Sequence, residues 1–235
     1  MKTLTYVEAR KMTDTRAGFW LLLCVGLSAL AVVVLVLAVG KPKDQTFDAM
    51  FGSCVGIVSV LLPIVGLLVV TSEWSQRTAL TTFTLVPHRE RVIAAKLLAG
   101  CGLALMAVVA CLGFAAAGNL VMGGSWRFTL SHLANGALFE LFGMLGAAAL
   151  GLLLMHSATA IVTYFVLPAV IGIVVELVSA LHGPAQWFDP NQSTPPLAEG
   201  TIHGAGWAHL GVTVAIWVAL PLALGLLRLR RHELK

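Results

Sequence analysis

Glu140 is the residue with the most chemical promise, because it places a carboxyl group inside an otherwise apolar run. If that run enters the membrane near Ala134, Glu140 lies about 9 Å deep, where a charge facing lipid is costly. Its sharper reading is a polar substrate contact or one half of a gate pair. The simpler reading is snorkelling outward, or pairing with Arg127 or His132. Glu176, near the outer end of a later run, reads as a boundary position capping an exit path. Other chemistry is thinly supplied. The seven histidines (88, 132, 156, 182, 203, 209 and 232) include no i, i+4 pair within a span, which argues against haem or metal ligation. Cys24, Cys54, Cys101 and Cys111 fall inside apolar runs without CxxC spacing and read as small buried hydrophobes. Ser28, Ser53 and Ser59 have no span histidine placed to activate them, so an intramembrane enzyme is a weak alternative. The one Gly-Lys pair, Gly40-Lys41, lacks the earlier glycine of a phosphate loop and is followed by Pro42. ATP hydrolysis is therefore expected outside this chain.

The elements that must position these residues are membrane spans. Of the 235 residues, 58% are hydrophobic and only 11% charged, with a mean hydropathy of +0.91. Soluble domains carry about 25% charged residues, so a water-soluble enzyme is excluded. Spans of about 20 residues are needed to cross a bilayer. Runs uncharged apart from Glu140 and Glu176 place them at Ala17–Gly40, Ala49–Ser72, Leu97–Met122, Ala134–Met155, Ser157–Ala180 and Trp207–Leu227. The fourth and fifth are divided because Leu141 to Val175 holds no charge over 35 residues. One helix of that length would measure about 52 Å against a ~30 Å layer, so a tight break is set at His156-Ser157.

Orientation follows from the cations. Twelve Lys and Arg lie in the N-terminal tail, the segment after span two and the C-terminal tail, against three (Lys41, Lys43 and Arg127) on the other side. Both termini are expected in the cytoplasm. The basic residues form no continuous stripe for nucleic acid. The expected fold is an all-α membrane protein of six spans, one domain over 1–235, with a cytoplasmic segment at 1–16, another at 73–96 and an extracellular loop at 182–206. Gly183-Pro184, Asp189-Pro190-Asn191 and Pro195-Pro196 forbid one regular helix in that loop, and Trp187 and Phe188 suit the membrane interface.

Small residues and prolines punctuate the spans. Gly52 and Gly56 in span two, and Gly143, Ala147 and Gly151 in span four, favour close helix packing within the chain over a dimer seam. Pro63, Pro168 and Pro221 each remove a backbone donor and predict kinks. Residues 72–100 are too polar for burial in lipid and too long for a simple turn. Glu73 to Leu85 reads as a short surface helix ending before Pro87, and Arg89, Arg91 and Lys96 read as a basic anchor against anionic lipid. Glu73 and Trp74 are harder to explain by lipid contact, since an acid opposes the cationic trend.

These residues carry a resemblance. Glu73-Trp74, Thr78, Thr81-Thr82-Phe83, Pro87-His88-Arg89-Glu90-Arg91 and Ala94-Ala95-Lys96 resemble the segment after span two in ABC-2 type transporter permeases. Glu8-Ala9-Arg10-Lys11-Met12 with Thr15-Arg16 is similar to that family's amphipathic entry, and His156 to Ala160 to its cytoplasmic hairpin. The specific part covers about 25 residues, while the topology matches throughout. Many members have Gly-Thr where this chain has Arg77-Thr78, which bears on how the helix seats on its partner.

The resemblance implies a multi-pass subunit of a bacterial plasma-membrane exporter, in which two permeases pair and two separate ATPase subunits dock from the cytoplasm. ATP and Mg belong to those partners, with no cofactor in this chain. Glu73, Trp74, Arg77, Thr78, Thr81, Phe83, Pro87, Arg89 and Arg91 would couple to the ATPase, and Glu8, Arg10 and Lys11 on the N-terminal helix would rest close to it. Phe51, Glu140 and Glu176 would lie along the substrate path. The mostly Leu, Val, Ala, Gly and Phe spans favour an apolar or amphipathic cargo such as a drug, lipid or peptide antibiotic. A membrane sensor or scaffold that uses the ATPase without transport would share the coupling segment; ATP-dependent substrate movement separates the two.

Overall fold

The computed structural model describes residues 2–40, 46–75, 89–126 and 128–231. Helix α1 (Lys2–Asp14) meets α2 (Arg16–Val39) at an elbow where the Thr15 side chain accepts a hydrogen bond from the Gly18 backbone N–H at 3.1 Å. This N-cap satisfies one of the donors that a helix start leaves open. The elbow needs a glycine, because a Cβ at Gly18 would stand 1.9 Å from the Met12 carbonyl oxygen.

The chain then continues through α3 (Phe47–Ser75), α4 (Arg89–Met122), α5 (Leu130–Leu154) and α6 (Ser157–Leu177). The final crossing runs from Gly206 to Arg231 as α10 (Gly206–Val214), a π-helical stretch (Ala215–Ala219) and α11 (Leu220–Arg231). Six helical stretches are long and apolar enough to span a membrane, and no strand occurs among the described residues. The protein is therefore an all-α membrane protein of six spans. At about 44 and 51 Å by helix rise, α3 and α4 overshoot a ~30 Å layer. Span two thus continues as helix to Ser75, and the helix of span three begins at Arg89, eight residues before the apolar run suggested.

Break and kink positions follow local chemistry. Between α5 and α6, Met155 takes a left-handed conformation (φ 55°) and its N–H closes on the Gly151 carbonyl. His156 then caps α6, its ring nitrogen accepting from the Thr159 N–H. The break thus falls where the length argument put it. Pro63 and Pro168 lie within continuous helices. Pro221 cannot donate to the Trp217 carbonyl four residues back, and the preceding turn widens into the π stretch, with the Leu220 N–H reaching Ala215.

Helices α3 and α5 form the centre. Just over half of each span window is buried, against 11% for α6. They approach closely because α5 offers small residues: a Cβ on Gly143 would meet the Pro63 ring at 3.3 Å, and one on Gly151 the Leu67 carbonyl at 3.2 Å. The span-four small-residue pattern therefore packs within the chain. In the span-two pattern a Cβ on Gly52 would meet the His132 ring of α5 at 3.7 Å, whereas Gly56 is exposed with open space above it. One apolar core joins α2, α3 and α4 around Ala29, Phe51, Val58 and Cys111. A second, at the end carrying both termini, joins Leu4, Val70, Trp74, Val92, Leu152 and Leu229.

The segment after α6 is more than an external loop. Following a 3-10 turn (Ser179–Leu181), it forms α7 (His182–Phe188), α8 (Pro190–Ser193) and α9 (Pro195–Ala198). Asp189 is buried and accepts from both the backbone and side-chain nitrogens of Asn191 at 2.9 Å. The Asn191 side chain also donates to the Pro168 carbonyl at 2.8 Å. Since Pro168 is nine residues from the end of α6, the segment dips about 14 Å along that helix. Trp217 Nε1 donates to the Phe188 carbonyl at 2.8 Å, and the Thr213 hydroxyl to Ser193 at 2.9 Å, fixing the cap to the last span.

Candidate functional site

Two places bring the expected functional residues together: the end that carries the termini, and the middle of α5. At the first, Glu73 and Trp74 occupy the last turn of α3 and do not open a separate helix. Trp74 packs against the core cluster that contains Val70, Val92 and Leu229, and so helps join the end of span two to spans three and six. Arg77, Thr78, Thr81, Phe83 and Pro87 lie outside the described residues. Arg89 is the first residue of α4, and Arg91 is exposed on its first turn. Between them, Glu90 pairs with Arg230 of α11 at 2.6 Å. Arg228 donates to the Leu153 carbonyl at 2.6 Å, covering an acceptor at the end of α5.

Lys96 departs from its expected role as a lipid anchor. Its ammonium donates to Glu8 Oε2 at 2.8 Å and to the Val69 carbonyl at 3.0 Å, and the Glu8 and Lys96 side chains are each only 1% exposed. The Glu8 carboxyl likewise turns inward. Burial on its own would raise the Glu8 pKa. The Lys96 charge and the hydrogen bonds from Lys11 and Lys96 outweigh that and hold the carboxyl below its ordinary range. Lys11, 48% exposed, bonds the other oxygen at 2.7 Å. Arg10 pairs with Asp14 along the exposed face of α1, where Tyr6 is also exposed. The ion pair thus clamps α1 onto α3 and α4 and leaves Arg10, Tyr6 and Arg91 outward. Nearby, the Thr71 and Ser157 hydroxyls meet at 2.7 Å and join the end of α3 to the start of α6.

In the middle of α5, Glu140 is 1% exposed and neither carboxyl oxygen has a hydrogen-bond partner among the described residues. Because α5 begins at Leu130, four residues before the apolar run suggested, the residue lies about 15 Å along the helix. Its burial rules out snorkelling, and His132 Nδ1 instead meets Asp48 Oδ1 at 2.6 Å, while Arg127, the other partner expected for it, lies outside the described residues. Beside this turn is a cavity of about 260 Å³, walled by Phe139, Phe142, Tyr164, Phe165 and Trp217, with Asn191 of the cap at its edge. Phe51 is fully buried in the outer core, stacked edge-on against Phe128 and His132, and lines no part of this cavity. Glu176 is exposed at the outer end of α6 and is likewise separate. Among the described residues no cluster of His, Cys, Asp or Glu could hold a metal ion.

The structure therefore defines a class: a six-span helical membrane protein with a cross-linked basic end and, among the described residues, an aromatic-walled cavity within the bundle. Comparison with protein-family models, curated proteins and solved structures returns no match.

Proposed function

We propose that this chain is the membrane-spanning permease subunit of an ATP-driven exporter of the ABC-2 type, working in a bacterial plasma membrane with a second permease and two separate ATPase subunits. The observation that best supports this reading is the construction of the basic end. A force applied at α1, at the end of α3 or at the start of α4 reaches every span that meets in that core, through Glu8–Lys96, Trp74 and Glu90–Arg230. That is the mechanical requirement on a subunit whose energy comes from a docked partner. The partner can shift the permease between two states only if it holds them with different affinity. ATP and Mg act on the ATPase, and this chain supplies the path.

The test is ATP hydrolysis by the candidate ATPase subunit after co-purification with this chain from membranes. The expected result is association with the native chain, and its loss or uncoupling on combining Glu73→Ala with Arg77→Ala. An ATPase that never associates with the native chain contradicts the proposal.

A further inference from the structure

The cavity beside α5 is bounded by residues from four spans and the outer cap: Ser59 of α3, Phe142 and Gly146 of α5, Tyr164 of α6, Trp217 of the last crossing and Asn191 of the cap. No residue of its wall is charged. Phe165 and Ala169 belong both to the wall and to the exposed surface of α6, so the wall reaches the outside of the bundle on that side.

The polar side chains of the wall have their protons already placed. Ser59 donates to the Gly56 carbonyl at 2.8 Å and Thr194 to the Pro190 carbonyl at 2.7 Å. The two amide protons of Asn191 go to the Pro168 carbonyl and to Asp189, and that of Trp217 to the Phe188 carbonyl. Tyr164 alone holds its proton loosely, against the Gly143 carbonyl at 3.4 Å. What remains on the wall is acceptor capacity. Each hydroxyl oxygen keeps a lone pair to offer. The Trp217 carbonyl has no donor in Pro221, and it lies 3.6 Å from where a Cβ on Gly146 would stand.

This pattern is selective. An ion would enter without a counter-charge, and the pull of ring faces on a cation is smaller than the cost of stripping its water. A hydrocarbon would fill the space and leave the oxygens unmet. An ether or ketone could take only the Tyr164 proton. A hydroxyl on an apolar ring uses both sides of the pattern, since it donates to the wall oxygens and accepts from Tyr164. An apolar cavity of about 150 Å³ holds benzene, so one of about 260 Å³ has room for a single ring with a short substituent.

We propose that the cavity between α3, α5, α6 and the outer cap binds a small neutral apolar molecule through a hydroxyl group, of which an alkylphenol is the simplest form. The inference gives the exporter reading a substrate class and rests on that reading for transport alone.

The test uses the full chain in lipid discs of zwitterionic phosphatidylcholine, with calorimetric titration of para-propylphenol, its methyl ether and para-propylbenzylammonium. Each titration is corrected for partition into empty discs. The phenol is expected to bind the native chain saturably and at least about fivefold more tightly than the ether, the worth of one net hydrogen bond. The ammonium compound should bind no more tightly than the ether. Ala169→Trp, on the exposed face of α6, should fill that side of the cavity and weaken phenol binding by at least about tenfold. Equal affinities for phenol and ether, a tighter ammonium compound, or no binding above lipid partition overturn the proposal, and none of these depends on a variant folding. Undiminished phenol binding by a folded Ala169→Trp protein does the same. ATPase recruitment by the same preparation separates the two ideas. Phenol preference without recruitment keeps the site and removes the exporter reading; recruitment without preference does the reverse.

Discussion

Replacing Lys96 by Met should release the N-terminal helix from the bundle. The substitution keeps the length and apolar stem of the side chain but removes the charge that faces Glu8 at 2.8 Å. Both groups are buried, so Glu8 would be left without its interior partner, and breaking a buried pair in this way costs about 3–5 kcal/mol. Lys11 still reaches the other oxygen, but it is half exposed and contributes only about 0–1 kcal/mol. Taking about 3 kcal/mol as the loss of docking energy, the undocked population of α1 rises roughly 150-fold. The readout is tryptic cleavage after Arg10 and Lys11 under native conditions, which follows the open population when reclosing is fast. Cleavage should accelerate by about two orders of magnitude in Lys96→Met and return most of the way in the double variant Glu8→Leu/Lys96→Met, which buries no unpaired charge. Native-rate cleavage in the single variant, or no recovery in the double, would refute the reasoning.

Three further outcomes follow from the same geometry. The Glu8 carboxyl is held below its ordinary value of 4.5, so its pairing stabilises docking at every pH above that value and the contribution is lost as pH falls through the lowered one; hydrogen exchange across residues 5–12 should stay slow at pH 5 and accelerate only in stronger acid. Gly151→Leu forces a side chain against the Leu67 carbonyl and should cost about 2–4 kcal/mol in reversible unfolding, whereas Gly56→Leu, with open space above it, should stay within about 0.5 kcal/mol. The Thr71–Ser157 hydroxyl contact should give a coupling energy of about 1 kcal/mol in a cycle of Thr71→Val and Ser157→Ala, and additive effects would remove it as a tie between spans.

The spans could be read from sequence because length and charge alone fix them in a layer of known thickness. The His156-Ser157 break is the clearest case, since the 35-residue run from Leu141 to Val175 is charge-free throughout and has no polar end to extend beyond the lipid as the basic start of α4 does. Helix ends were less legible at the basic end, where α4 continues through Arg89–Lys96 because tertiary packing of Val92 and Ile93 supports it beyond the lipid. Lys96 could not be read correctly, as its partner lies 88 residues earlier and cation counting treats it as an interfacial charge. Glu140 was recognised as unusual, but its place along the helix depended on where α5 begins, and the polar Ser131-His132 pair just inside that start hid it. The Pro and Asn content of 182–206 announced broken helices. Their descent along α6 depends on Asn191 meeting Pro168 and Trp217 meeting Phe188, pairings without any local pattern.

The central claim, that this chain serves as the membrane half of an ATP-driven machine, is tested most directly by the native mass of the complex extracted with its candidate ATPase. The account predicts two copies of a 24.8 kDa permease chain, or one copy with a related permease, together with two ATPase subunits. A chain that leaves the membrane with no ATPase attached, under conditions that preserve its fold, would contradict it.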